Sequence, residues 1–202
     1  MQPTKAVFLD KDGTLIHDVP YNIEPDRVEL TPGAIEGLRA LHAAGYLLIV
    51  LSNQSGVARG FFGEPALVTV EHHLRALLAQ DGVPLAGFYY CPHHPDGIVP
   101  RYAVDCDCRK PAPGLLLRAA HDHTIDLRRS WFVGDILNDV EAGRRAGCRT
   151  ILIENGNETK WVVSRERLPH HIVADLHEAA RVILALSDHH EQAPVSYTHL
   201  RA

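Results

Sequence analysis

No stretch of this chain approaches the ~20 consecutive apolar residues that a membrane helix needs, so no membrane span and no membrane partner are expected. The N-terminus also lacks a basic stretch followed by a long apolar run and a small-residue cleavage site. Its first apolar run, Ala6 to Leu9, has a strand's length and not a signal's, and the cytoplasm is the expected compartment. Basic charge is in short supply: 20 Lys and Arg stand against 25 Asp and Glu, a formal net charge of −5. A broad nucleic-acid footprint requires a basic face, so no nucleic-acid partner is expected, although a local basic pocket for phosphate remains compatible with the balance. There is no internal repeat, and cysteine is scarce, with four in 202 residues. A chain of that length suits one domain that buries a real core without staples, and a monomer is expected.

What is present is an alternation of short apolar runs and amphipathic stretches. Strands are predicted at Ala6–Leu9, Tyr46–Leu51, Phe88–Tyr90, Trp131–Val133, Thr150–Ile153 and His171–Val173. Helices are predicted between them. The first is opened by Thr31-Pro32 as N-cap and first-turn proline, carries Ile35, Leu38 and Leu41 at helical spacing, and ends at Gly45. Others span about Pro65 to Gln80, Pro113 to His123, Asn138 to Ala146 and Leu176 to Leu186. Strands apolar throughout and joined by helices predict an α/β fold, a Rossmann-like three-layer sandwich around a parallel sheet. The domain is expected to span residues 1–187, and residues 188–202, which lack periodicity, read as a flexible tail that need not be native to the fold.

In such sheets ligands bind beyond the carboxyl ends of the strands, and polar residues do follow the strands directly. Asp10-Lys11-Asp12-Gly13-Thr14 follows the first. Two carboxylates one residue apart there can share a metal and a substrate, though Asp and Gly also make ordinary solvated turns. Ser52-Asn53-Gln54-Ser55-Gly56 follows the second, and its hydroxyl, amides and backbone N–H groups suit phosphate oxygens, or a plain polar loop. Lys110, in Arg109-Lys110-Pro111, offers a charge for a transferring phosphate or a solvated surface group. Asp135 and Asp139 follow the fourth strand at a spacing that lets both point to one site. Hard carboxylate oxygens suit Mg²⁺, and a helix cap is the other reading of Asp139.

Cys91-x-His93, twelve residues, then Cys106-x-Cys108 supplies three thiols and an imidazole, the donor set of a closed tetrahedral Zn²⁺ site. With no open position that zinc would be structural. Cys148, flanked by apolar residues, reads as a buried thiol. His94 is expected to face solvent, and His72, His73, His170 and His171 to lie on helix or strand surfaces.

Taken together, the strand-end Asp-x-Asp-Gly-Thr, the hydroxyl residue ending the second strand, the lysine before a helix and the late Gly-Asp-x-x-x-Asp resemble the haloacid-dehalogenase superfamily over roughly Lys5 to Ile153. The resemblance implies a phosphohydrolase in which Asp10 attacks phosphorus and Asp12 protonates the leaving oxygen, then deprotonates water. It implies that Asp135, a carboxylate oxygen of Asp10 and the backbone carbonyl of Asp12 hold Mg²⁺. Ser52 and Lys110 would bind the phosphoryl oxygens, and Asp139 would support Lys110 or a metal-bound water. The zinc loop from Cys91 to Pro111, with Ser55 to Gly60, is similar to the family of heptose-bisphosphate phosphatases, and histidinol-phosphate phosphatases carry a comparable loop. The chain departs from the heptose family at Ile136, where a basic residue is common. Superfamily relatives often carry an inserted lid, but Gly13 to Thr31 leaves space only for a flap, so a capless enzyme is expected. Its specificity would come from the flap, the Ser52–Phe62 loop and the zinc loop, on a small phosphorylated metabolite such as a sugar bisphosphate. Arg59, Arg101 and Arg109 are candidates for a second phosphate, Arg109 the best placed of the three. Histidinol-phosphate phosphatase or another small-metabolite phosphatase, a DNA 3′-phosphatase and a non-catalytic zinc-stabilised binding module are the other readings.

Overall fold

A computed structural model describes residues 4–191. The apolar runs form six strands among the described residues: β1 (Ala6–Leu9), β2 (Leu47–Asn53), β3 (Gly87–Cys91), β4 (Trp131–Gly134), β5 (Arg149–Ile153) and β6 (His171–Val173). All pair in parallel, in the order β3-β2-β1-β4-β5-β6. The connections carry α1 (Ala34–Ala43), α2 (Glu64–Gln80), α3 (Gly114–His123) and α4 (Leu137–Ala146), and α5 (Leu176–Glu191) follows β6.

Parallel strands leave no face for water, so helices must cover both sides. Alternate residues along β1 divide the core accordingly. Val7 and Leu9 join a cluster with Leu38 of α1, Leu74 of α2 and Ile183 of α5. Ala6 and Phe8 point the other way, into a cluster with Leu115 and Ala119 of α3 and Ala142 of α4. The result is the three-layer sandwich that the strand pattern predicts. Cys148 sits in that second cluster, 4% exposed, as a small buried apolar group.

The chain runs outward from β1 through β2 to β3 and then returns to β4 on the other side of β1. Where the order reverses, the loops leaving β1 and β4 diverge and open a crevice at the strands' carboxyl ends. Asp10 follows β1 and Asp135 follows β4, so the topology alone brings these two carboxylates together.

Most boundaries shift by a residue from expectation, and three shifts are larger or change a residue's role. Thr31 does not cap α1: Gly33, at φ 75°, holds the N-cap, while the Thr31 hydroxyl donates to the Thr14 carbonyl at 2.7 Å and closes the base of the flap. β2 continues past Leu51, because Ser52 and Asn53 pair with Tyr90 and Cys91 of β3. α5 runs to Glu191, past Leu186; the rest of the expected tail, 192–202, lies outside the described residues. No lid domain interrupts the fold among the described residues. The flap between Gly13 and Thr31 contains one short turn of 3₁₀ helix, Pro25–Arg27. No helix among the described residues is long and apolar enough to cross a membrane.

Phe132 is a central test of this core. It is 1% exposed in the α3/α4 layer, and its ring centroid lies 5.6 Å from Lys110 Nζ. Phe132→Ala is expected to lose about 3–5 kcal/mol of stability, the usual cost of such a cavity, read as a lowered midpoint in urea unfolding. A loss under about 1 kcal/mol would mean that this layer is not packed as described.

Candidate active site

Asp10 leaves β1 as its backbone N–H donates to Val133 of β4 at 3.0 Å, which fixes the chain at the crevice. The turn that follows requires glycine. Gly13 has φ 86°, and a Cβ there would meet Asp135 Oδ2 at 2.1 Å. Asp12 points toward the flap side. Its two oxygens take Lys11 Nζ at 2.6 Å and Gln54 Nε2 at 3.1 Å.

Lys110 stands at the centre. Its ammonium donates to Asp10 Oδ1 and to the Leu51 carbonyl at 3.2 Å and forms an ion pair with Asp139 Oδ1 at 2.7 Å, with the side chain 2% exposed. Burial acts to discharge it, but Asp10 and Asp139 outweigh burial and hold the ammonium charged, its pKa raised. Burial also drives Asp10 well above the usual carboxylate range; Lys110 opposes that shift, and Asp139, Asp135 and Asp12 add to it. Asp135 is pushed up to about 6 by burial and then by Asp139, against the donors Asn157 and Thr14. Asp139 Oδ2 accepts the Ile136 N–H at 3.3 Å, so this aspartate both steadies the start of α4 and faces Lys110. Carboxylate oxygens of Asp10, Asp135 and Asp139 lie within 4.8 Å of one another.

The loop after β2 meets this group from the other side. Gln54 Nε2 bridges Ser52 Oγ at 2.7 Å and Asp12 Oδ2. Asn53 does not point its amide at open space: it pairs both ways with the main chain of Lys110, at 3.0 and 3.1 Å, and so sets where that residue begins.

Four residues at the site were not singled out in the sequence. Lys11 is buried against Asp12, and Thr14 donates to Asp135 Oδ1 at 3.2 Å. Asn157 donates to Asp135 Oδ2 at 2.7 Å, and Asn155 to the Gly13 carbonyl at 2.7 Å. Both asparagines lie just past the carboxyl end of β5, so the strand-end rule, applied to that strand as well, finds them.

Cys91 ends β3 and faces the loop that leads to Lys110. The sulfurs of Cys91, Cys106 and Cys108 lie 3.1 to 3.5 Å apart, and His93 Nδ1 is 3.3 Å from Cys108 Sγ. The sulfurs are too far apart for a disulfide and close enough to share one ion. Contacts with Cys91 and then His93 lower the Cys108 thiol to about 5, against burial.

At the rim, Arg109 Nη1 donates to the His93 carbonyl at 3.3 Å. His94 is only 17% exposed and not solvent-facing as expected, because its Nε2 lies 3.2 Å from Arg59 Nη2. Burial, Arg109 and Arg59 together lower its pKa. Arg101 is exposed, its guanidinium stacked 4.5 Å over the Tyr102 ring. A cavity of about 260 Å³ opens between the flap and the β2 loop, lined by Lys11, Asp12, Tyr21 and Gln54 among others.

The model of the HAD-hydrolase-like family matches residues 107–179. The D-glycero-beta-D-manno-heptose-1,7-bisphosphate 7-phosphatase of Pasteurella multocida is 46% identical over 75% of this chain and 83% of its own length. The alpha-heptose-1,7-bisphosphate 7-phosphatase of Photorhabdus laumondii is 39% identical over 77% and 85%. Among solved structures, the D,D-heptose 1,7-bisphosphate phosphatase of B. bronchiseptica, complexed with magnesium and phosphate, superposes with a TM-score of 0.76 at 31% identity. It covers 91% of this chain and 99% of its own. With its Asp10–Lys110–Asp139 centre at the switch point of a 3-2-1-4-5-6 sheet, the chain belongs to the haloacid-dehalogenase-like hydrolases, in the family of the heptose-1,7-bisphosphate 7-phosphatases.

Proposed function

We propose that this chain hydrolyses a phosphomonoester of a phosphorylated sugar, removing the 7-phosphate of D-glycero-D-manno-heptose 1,7-bisphosphate, with Asp10 as nucleophile. The observation that carries the chemistry is the buried carboxylate of Asp10 at the mouth of β1, oriented by Lys110, with Asp12 facing the adjoining cavity.

Asp10 attacks phosphorus as the ester P–O bond breaks, and Asp12 gives its proton to the departing sugar oxygen. The polar cavity beside Asp12 gives its carboxyl access to that oxygen. Asp12, now a carboxylate, takes a proton from water, which attacks the phosphorus of the aspartyl-phosphate. Phosphate leaves and Asp10 is restored. Ser52 and the Lys110 ammonium would hold the phosphoryl oxygens. Asp139 keeps that ammonium charged and aimed, and Gln54 orients both Ser52 and Asp12.

The residues fit a magnesium ion. Three buried carboxylates, Asp10, Asp135 and Asp139, face one ammonium, which leaves two negative charges unmatched among hard oxygen donors. Asp10, Asp135 and the backbone carbonyl of Asp12 would hold the ion, and when bound it would relieve repulsion between Asp10 and phosphate. The three thiols and His93 fit a structural zinc, which would fix the loop entering Arg109 and Lys110. Arg59 and Arg109, converging near His94, would take the second phosphate.

Phosphate release from the β and α anomers of the heptose bisphosphate, from histidinol phosphate and from an aryl phosphate tests this reading with Mg²⁺ present. The heptose bisphosphate is expected to be preferred by at least about tenfold in kcat/KM, and Asp10→Asn to lower the rate by about a thousandfold or more. Equal weak turnover of all substrates would discard the heptose assignment and keep the chemistry, and full activity of Asp10→Asn would overturn both.

Zinc removal makes a separate prediction. Metal analysis is expected to find about one zinc per chain, and a zinc-selective chelator to lower the unfolding midpoint by at least about 5 °C. Activity is expected to fall because Lys110 loses its fixed approach. A chain that is zinc-free as purified, with unaltered stability, would contradict the assignment.

A further inference from the structure

The loop after β5 takes no part in the steps proposed above, yet its Asn157 side chain reaches a buried carboxylate of the site. Asn157 Nδ2 donates to Asp135 Oδ2 at 2.7 Å, while Thr14 Oγ1 donates to the other oxygen at 3.2 Å. The approach passes over Gly13, where a Cβ would stand 2.4 Å from Asn157 Nδ2 and 2.1 Å from Asp135 Oδ2. Any side chain at that position would separate the amide from the carboxylate. The same loop is pinned on both flanks. Asn155 Nδ2 donates to the Gly13 carbonyl at 2.7 Å, and Glu158 Oε2 accepts the Leu137 N–H at the start of α4, also at 2.7 Å.

These two outer contacts are enough to anchor the loop to the β1 turn and to α4. The contact between them does something else, since it meets neither backbone nor core but a carboxylate that is itself 3% exposed. A carboxylate held by one donor can swing about its Cβ–Cγ bond. Held by a donor on each oxygen, it keeps one plane, and each oxygen still has a lone pair to offer.

We propose that Asn157 is a positioning residue for the divalent cation, holding the Asp135 carboxylate so that it faces Asp10 across the ion's place. The inference rests on the magnesium reading given above. Partners of this kind behind a metal-ligating group typically change metal affinity by 10–100-fold. Asn157 is itself exposed, so its truncation removes the donor without opening the core.

The test uses the full chain stripped of divalent ions, with Mn²⁺ as the probe followed by electron paramagnetic resonance. Wild type and Asn157→Ala are compared, and the unfolding midpoint of each is measured without metal. The variant is expected to bind Mn²⁺ about tenfold or more weakly, with an unchanged metal-free midpoint. Its substrate KM is expected to stay at the wild-type value in saturating Mg²⁺, with kcat recovering toward wild type. Equal Mn²⁺ affinity in the two proteins would overturn the role of Asn157 and leave the metal reading standing. A weakened affinity accompanied by a lowered metal-free midpoint would also overturn it, in favour of a plain loop anchor. If wild type itself takes up no Mn²⁺, the magnesium reading fails and the inference fails with it.

Discussion

One buried ammonium governs this site. Lys110 is shared between Asp10 and Asp139, all three nearly out of reach of water, and burial on its own would favour neutral forms of each. The arrangement persists because opposite charges sit within hydrogen-bonding distance. It remains incomplete because Asp135 adds a third carboxylate that the single lysine does not balance. Leaving two negative charges in a dry crevice is costly, and in the proposed reading that surplus would hold a divalent ion, which would in turn offset the charge of a phosphate. The functional chemistry is thus the unresolved part of the folding electrostatics.

Much of the rest of the molecule serves to put Lys110 in place. Its main chain is paired with the Asn53 side chain on β2, and its ammonium with the end of the same strand at Leu51. The Phe132 ring of β4 lies beneath it. Two residues upstream stands Cys108, in the thiol and imidazole cluster that begins at the end of β3. A lysine delivered by a long loop, and not by a strand end, needs such a clasp if its nitrogen is to be located to within a fraction of an ångström. The thiol and imidazole cluster and the placement of Lys110 therefore answer a single geometric problem. At the rim the same loop carries Arg109, and its neighbour His94 leans on Arg59.

Most of the fold was legible because each strand is a short, unbroken apolar run, and that pattern has few interpretations in a sheet covered on both faces. β1 and β6 begin and end where the run does. Misplaced boundaries occurred where polar residues carry structure. Ser52 and Asn53 look like loop yet complete the ladder to β3, and Thr31 looks like a cap yet closes the flap. The carboxylates and Lys110 announced themselves by position after strands and by chemistry that ordinary turns seldom combine. Asn155 and Asn157 did not, since asparagines beside glycine after a strand have the composition of any turn, and only the fold shows that their amides reach Gly13 and Asp135. His94 was misjudged for a related reason: its burial depends on Arg59, which is far away in sequence but adjacent once β2 and β3 pair.

The covalent step is the centre of this account and can be observed directly. Wild-type protein mixed with heptose bisphosphate and Mg²⁺, quenched in acid within the first turnover and digested, can be examined by mass spectrometry. The account predicts a phosphoryl group on the peptide that carries Asp10, labile to base and absent from Asp10→Asn. Full turnover with no modified peptide at any quench time, together with inverted configuration at a phosphorus made chiral by oxygen isotopes, would contradict it, since two successive displacements retain configuration.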